Sequence, residues 1–132
     1  MKYSQNVSSS RRKSRKAHFT APSSLRRKIM SSALSKELKE EHNVNAMPIR
    51  VKDEVIIVRG SNKDTQGVVT AVARNKYGIR IEGVKRDKKN GQSVDLLIHP
   101  SNVQIVKLHL DKDRLALLSK KAASKASIEA SA

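Results

Sequence analysis

Val55-Ile56-Ile57-Val58-Arg59-Gly60-Ser61-Asn62-Lys63-Asp64-Thr65-Gln66-Gly67-Val68-Val69-Thr70-Ala71-Val72 carries the pattern that decides the fold of this chain. Two β-branched runs flank a polar loop, and Gly60 and Gly67 bracket that loop. Short β-branched runs bounded by turn residues read as strands, so the stretch predicts strands over 55–58 and 67–72. The two glycines can take backbone angles closed to other residues. Exposed backbone N–H groups, Lys63 and small hydroxyls could then meet a phosphate backbone closely, or the loop could be a plain inter-strand turn.

Working outward, Arg74-Asn75-Lys76 turns the chain, and Tyr77, Ile79 and Ile81 alternate with Gly78, Arg80 and Glu82 as a half-exposed third strand. Lys85 to Gly91 reads as a basic hairpin loop closed by Asn90-Gly91. Val94-Asp95-Leu96-Leu97-Ile98 is a fourth strand, His99-Pro100-Ser101 a tight link and Val103-Gln104-Ile105-Val106 a fifth strand. The expected fold class is therefore mainly β, a small barrel of about five strands over 48–106. So small a core is marginal alone, and partner contacts should add to its stability.

Residues 1–47 form a basic N-terminal extension. Its first thirty residues carry nine Lys or Arg and no acid. Such a segment cannot bury enough apolar surface to offset its ordering entropy, so it reads as disordered when free and ordered on a polyanion. Two short helical patches are expected inside it. One begins near Thr20-Ala21-Pro22, with Leu25, Ile29 and Met30 on one face and Arg26, Arg27 and Lys28 splayed away. The other begins at Ser35 as N-cap, carries Glu37 in its first turn and ends near Asn43. Residues 107–132 form the remaining segment. There Asp111 can cap a helix from Lys112 to about Ala123, with Leu115, Leu118 and Ala122 as its apolar stripe. Ser124 to Ala132 reads as a small, polar, mobile end.

Charge narrows the function. The 132-residue chain has 28 Lys+Arg against 12 Asp+Glu, a net charge of +16. So large a basic excess repels itself and calls for an anionic partner, nucleic acid or anionic membrane. No apolar run is long enough to span a bilayer, and the first residues lack the apolar stretch of a signal peptide. The absence of cysteine removes disulfides, thiolate nucleophiles and cysteine-ligated zinc together. Tyr3, Phe19 and Tyr77 are the only aromatics, too few for a platform of stacked bases. A nucleic acid should thus be held through phosphate and shape.

Catalysis finds no footing. His18, His42, His99 and His109 have no helical metal-pair spacing, no glycine pattern fits a nucleotide loop, and no serine sits in a nucleophile elbow. Asp111 and Asp113 suit capping better than acid–base work. No catalytic residue, metal or cofactor is expected. The basic clusters are the candidates instead: Arg11-Arg12-Lys13 with Arg15-Lys16, then Arg26-Arg27-Lys28, then the weaker Lys85-Arg86 with Lys88-Lys89 around Asp87. Either of the first two could be a solvated run or a nuclear address, but two in one acid-free extension favour polyanion binding.

Residues 48–74 resemble a KOW motif, the strand–loop–strand unit of SH3-like barrels in translation and transcription proteins. Asp53, Val55, Val58, Gly60, Lys63, Gly67 and Val69 carry the likeness. More telling are His18-Phe19-Thr20-Ala21-Pro22-Ser23-Ser24, Arg26-Arg27-Lys28, Leu34-Ser35-Lys36-Glu37-Leu38, Met47-Pro48-Ile49-Arg50, Ile98-His99-Pro100-Ser101 and Leu110-Asp111-Lys112-Asp113-Arg114. Together these are similar to the eukaryotic cytosolic large-subunit ribosomal proteins of the KOW class, universal family twenty-four. Three positions depart from the motif: Lys52 and Asp64 stand where glycine is usual, and Val68 where lysine is common.

The resemblance implies a structural protein that binds and orders large-subunit ribosomal RNA near the nascent-peptide exit tunnel and supports subunit assembly. It implies RNA contacts at Arg11, Arg12, Lys13, Arg15, Lys16, Arg26, Arg27 and Lys28, and in the loop at Arg59, Ser61, Asn62 and Lys63. His18, Arg74, Lys76, Lys85, Arg86, Lys88 and Lys89 complete the candidate RNA-binding set. The implied partners are ribosomal RNA, neighbouring ribosomal proteins and nascent-chain targeting factors, with no membrane insertion and no homo-oligomer. The implied location is the cytosolic ribosome after transit through the nucleus and nucleolus. The competing readings are a KOW transcription or elongation factor, for which no additional gripping domain is visible, and a membrane-surface protein. The latter lacks an apolar face, since the arm before residue 25 offers little beyond Val7 and Phe19.

Overall fold

The computed structural model describes residues 2–130. The chain runs through α1 (Arg11–Phe19), α2 (Ser23–Ile29), β1 (Ser31–Leu34), α3 (Lys36–His42), β2 (Ala46–Pro48), β3 (Glu54–Ile57) and β4 (Gln66–Ala73). A 3₁₀ turn at Arg74–Lys76 leads to β5 (Gly78–Ile81), β6 (Lys85–Asp87) and β7 (Ser93–Asp95). A second 3₁₀ turn at Pro100–Asn102 precedes β8 (Val103–Lys107) and α4 (Lys112–Ala130).

One six-stranded sheet, in the order β2-β1-β8-β3-β4-β5, builds a small barrel-like body, and β6 and β7 pair separately. The decisive stretch forms the hairpin β3–β4, with Val55 opposite Gly67. Antiparallel partners flank it, β8 on one side and β5 on the other. Beyond the expected strands, β1 joins β8 in parallel and β2 joins β1, so residues before the hairpin also build the sheet. Alternation sends Val55, Ile57, Val69, Ile79, Ile81, Val103 and Ile105 inward, where Met30, Leu34, Met47, Ile49 and Leu118 meet them. Tyr77, Ile79 and Ile81 are buried while Arg80 and Glu82 face out, as the period-two pattern predicts.

Gly67 owes its place to space rather than to dihedral freedom. A Cβ there would lie 2.7 Å from the Glu82 carbonyl oxygen and from Ile81 Cγ2. Gly60, in contrast, has φ +106°. Two of the departures from the motif are informative as well, because Lys52 has φ 73° and Asp64 has φ 65°. Both substitute for glycine at left-handed positions, which cost a side-chain-bearing residue about 1–2 kcal/mol.

Several expectations need correction. The stretch 94–98 is not a fourth strand of the barrel. Residues 93–95 pair only with β6 in an exposed hairpin, and Ile98 alone bridges Ile79. The chain leaves the hairpin at Leu96, whose N–H donates to the Val84 carbonyl at 3.1 Å. In α2 only Met30, at the C-cap, is buried, whereas Leu25 and Ile29 are exposed and Arg26 turns inward. The arm is also helical over Arg11–Phe19, a helix that the composition does not suggest and that buries no side chain.

The cap expectations hold. Ser35 accepts from the Leu38 N–H at 3.3 Å, and Asn43 ends α3 in the left-handed conformation. Asp111 caps α4 through the Arg114 N–H at 2.7 Å. That hydrogen bond, then the Arg50 side chain, hold the Asp111 carboxyl below the usual carboxylate range against some desolvation. α4 runs past Ala123 to Ala130, and the remainder of the expected mobile end, 131–132, lies outside the described residues. Alanine-rich composition and the Lys125–Glu129 pair, four residues apart at 3.7 Å, favour this continuation. The inward face of α4 is rotated from the expected stripe: Leu118 and Arg114 are buried, Leu117 and Ala122 are partly buried, and Leu115 is exposed.

Arg114 is the polar pin of the fold. Its Nη1 and Nη2 donate to Asp53 Oδ1 and Oδ2 at 2.5 and 2.7 Å. Both side chains are almost entirely buried. Asp53 also accepts from the N–H groups of Arg50 and His109, each at 2.9 Å. Arg114 donates further to the carbonyls of His109 and Pro48, at 3.0 and 3.1 Å. Arg114→Met would strand a buried carboxylate, and a loss of about 3–5 kcal/mol is expected. Urea unfolding reads it, and a loss under about 1 kcal/mol would show that Asp53 is otherwise compensated. Lys52→Gly should leave stability equal or raise it by up to about 1 kcal/mol, whereas β-branched Lys52→Val should lower it. Paired thermal melts check the order of the two.

Candidate RNA interface

The basic arm is carried by a latch built on Tyr77. This residue follows the Arg74–Lys76 turn with φ 52°. Its hydroxyl donates to the His18 carbonyl, and the His18 ring stacks on it with centroids 4.1 Å apart and planes at 16°. The Arg26 guanidinium lies 4.9 Å from the Tyr77 centroid. Its Nε and Nη2 donate to the carbonyls of Ala21 and Phe19 at 2.8 and 2.7 Å. Its Nη1 reaches the carbonyls of Arg74 and Asn75, each at 3.2 Å. Arg74 returns a bond to the Ser23 hydroxyl at 3.2 Å. Three candidates from the sequence, His18, Arg26 and Arg74, thus meet at the junction of arm and barrel. Arg26 commits its donors to backbone carbonyls, which makes it a positioning residue of the arm.

The latch holds α1 outward as a basic rod. Arg11, Arg12 and Arg15 line one shallow concavity, and Lys13 and Lys16 are exposed on the same helix. Phe19, half-exposed, lies under the Arg15 guanidinium at 5.2 Å and edge-on to the His18 ring at 5.0 Å. The absence of any acid on α1 leaves these charges for an external anion.

In the loop between β3 and β4, four N–H groups are consumed internally, the first being Val58, which donates to the Asn102 carbonyl at 2.9 Å. Lys63 donates to Gly60, Asp64 to Ile57 and Thr65 to Asn62, at 3.3, 2.8 and 3.3 Å. The open-amide picture of this loop therefore shrinks to its first half. Arg59, Ser61 and Lys63 are exposed, and Asn62 is half-buried. Arg59, Ser61 and Asn62 line a groove shared with Leu96–His99 and Asn102. Lys76 is exposed on the neighbouring turn. Lys85, Arg86, Lys88 and Lys89 sit on the exposed β6–β7 hairpin, away from the six-stranded sheet. Its turn is set by Gly91 with φ +83° and the Gly91 N–H bond to Lys88 at 3.0 Å.

A further group of cations comes together only in the fold. Arg27 and Lys28 of α2 line a groove with Lys120, Lys121 and Lys125 of α4. Lys121 and Lys125 stand four residues apart, which places them on one helix face, but only the folded chain shows what that face meets. Among the described residues, no group of His, Cys, Asp or Glu is arranged to hold a metal ion, and no helix is long and apolar enough to cross a membrane.

Residues 8–121 match the family of ribosomal proteins that comprises eukaryotic L26 and its archaeal L24 counterparts. The large ribosomal subunit protein uL24 of Candida albicans is 54% identical over 120 residues, covering 91% of this chain and 94% of that protein. Its counterpart in Schizosaccharomyces pombe is 52% identical over 121 residues, covering 92% and 96%. That of the mollusc Littorina littorea is 54% identical over 127 residues, covering 96% and 88%. The residues that build the sheet, the Asp53–Arg114 pair and the Tyr77 latch all fall within the matched span, and the chain belongs to this family of eukaryotic L26 and archaeal L24 ribosomal proteins.

Proposed function

We propose that this protein is a structural constituent of the large ribosomal subunit that binds and orders large-subunit ribosomal RNA near the nascent-peptide exit tunnel. The observation that carries the reading is the latched, acid-free helix α1 on a chain of this family. It acts as a scaffold: the barrel docks by its loops on the shape and backbone of folded RNA, where A-form helices offer phosphates and 2′-hydroxyls more readily than base edges. The arm then lies along RNA, its arginines pairing bidentately with phosphate oxygens. Arg11, Arg12, Lys13, Arg15, Lys16, Arg27, Lys28, Arg59, Ser61, Asn62 and Lys63 are the direct contacts in this scheme, with Lys76 and the hairpin cations at the margin. His18, Arg26 and Arg74 contribute by holding the arm.

The same reading divides the chain into a basic N-terminal extension over 1–47, which grips RNA through its acid-free part while its β1 and β2 complete the sheet, the barrel over 48–106 and a C-terminal segment over 107–132. The proposed neighbours are other large-subunit proteins and, at the tunnel exit, targeting factors that meet nascent chains. The protein works on cytosolic ribosomes after assembly in the nucleolus.

Sucrose-gradient fractionation with a high-salt wash tests the assignment. The chain should travel with large subunits and polysomes and survive the wash, and release by mild salt would leave a peripheral factor. On RNA in vitro, Arg11, Arg12 and Lys13 changed together to Ala should weaken binding uniformly across sequences. The same change should reduce the log–log salt slope by about 2, at roughly 0.7–0.9 for each phosphate no longer neutralised. An unchanged slope would remove α1 from the interface.

A further inference from the structure

The groove between α2 and α4 sets two cations of the arm opposite three for which neither the loop nor the arm accounts. One wall carries Arg27 and Lys28, the other Lys120, Lys121 and Lys125, and Glu129 is the one acid among the lining residues. Lys121 and Lys125 lie about 6 Å apart along the helix axis. Lys121 Nζ is held at the wall by the Ala46 carbonyl at 3.0 Å, and Lys125 Nζ by Asn43 Oδ1 at 2.9 Å. The Arg27, Lys28 and Lys120 side chains have no hydrogen-bond or ion-pair partner among the described residues. Burial, and secondarily the nearby Arg27 charge, push the Lys121 ammonium below the ordinary lysine range. Like charges held this close are relieved by an anion between them.

We propose that this groove is a second RNA seat, in which the sugar–phosphate backbone of one strand lies between α2 and α4, gripped by Arg27 and Lys28 from one side and by Lys120, Lys121 and Lys125 from the other. The proposal rests on the reading that the chain binds ribosomal RNA and adds a surface to it. Five cations against one acid match a polyanion. The floor, with Val44, Pro48 and Leu117, is aliphatic. It suits the apolar edges of ribose and offers no aromatic-lined pocket for the anchor residues that hold a protein segment. Asn43 and Asn45 add amides suited to 2′-hydroxyls.

The test is filter binding of the full chain to a large-subunit RNA transcript across a salt series. Lys120, Lys121 and Lys125 changed together to Gln should lower the log–log salt slope by about 1–2 and weaken binding at least about tenfold near 0.1 M salt. The same three changed to Arg should keep both, and Glu129→Gln should tighten binding. Thermal melts of each variant confirm that α4 remains docked. Wild-type slope and affinity in the Gln variant would overturn the proposal, as would equal losses in the Gln and Arg variants, which would mark a packing role. Loss of binding to a synthetic Leu/Glu amphipathic peptide, with RNA binding intact, would make the groove a protein seat and likewise overturn it. A wild-type chain that fails to bind the transcript would overturn the functional reading and this proposal together, whereas wild-type binding with indifferent variants overturns the proposal alone.

Discussion

Asp53 and Arg114 hold the chain together at the point where its three parts meet. The carboxylate sits just before β3 and accepts N–H groups from Arg50 and His109, so it fixes both the entrance to the central hairpin and the exit from β8. The guanidinium comes from the first turn of α4 and donates to Pro48 at the end of β2 and to His109. One fully desolvated pair therefore ties β2, β3, β8 and α4. A buried ion pair is a poor source of net stability, because desolvation opposes attraction, and Arg114 Nε, buried without a hydrogen-bond partner among the described residues, adds to that cost. Its value here is placement. Six charge-assisted or backbone bonds converge on two side chains, and few other arrangements of these segments satisfy them.

Placement of α4 has consequences at a distance. Because Arg114 and Leu118 face inward, the helical period turns Lys121 and Lys125 toward α2. The basic groove is thus a by-product of the same docking that completes the core. The arm is positioned by different physics. α1 buries nothing and has no apolar face, so hydrophobic burial cannot hold it. Its anchor is polar and aromatic: the Tyr77 hydroxyl, the stacked His18 ring and the Arg26 guanidinium, all engaged with backbone carbonyls or ring faces. A pre-ordered arm loses less entropy on meeting an anion than a free one, so the latch favours binding without touching the partner.

A chain of this composition suits a role in which many weak contacts act together. With a net charge of +16, compaction is opposed by self-repulsion, and neutralisation by an anionic partner relieves that repulsion. The loop between β3 and β4 fits that scheme in a modest way. Half of its amides are consumed internally, and Asp64 occupies a left-handed position that glycine would fill without strain. It contributes Arg59, Ser61 and Lys63 as side chains on a fixed turn, while the longer reach belongs to α1 and the helical walls of the groove.

Local chemistry wrote much of this in the sequence. Period-two alternation at Tyr77, Ile79 and Ile81, β-branched runs around Gly60–Gly67, and caps at Ser35 and Asp111 depend on neighbours a few residues away, and the structure follows them. The family was legible for the same reason, since its motifs are short ordered strings from His18 to Arg114. What the sequence left open depends on contacts across long separations. The parallel docking of β1 on β8, the inward turn of Arg26, the rotation of α4 that buries Arg114 rather than Leu115, and the exile of residues 93–95 to a hairpin carry no local signature. Arg114 reads as one more basic residue until Asp53, sixty-one positions away, is placed beside it. Charge and periodicity determined that the molecule suits an anionic partner, and tertiary packing decided which cations can still meet one, because a guanidinium whose nitrogens are all engaged by carbonyls, as at Arg26, has little left to donate, whereas an ammonium with one bond to the fold, as at Lys121, keeps two donors.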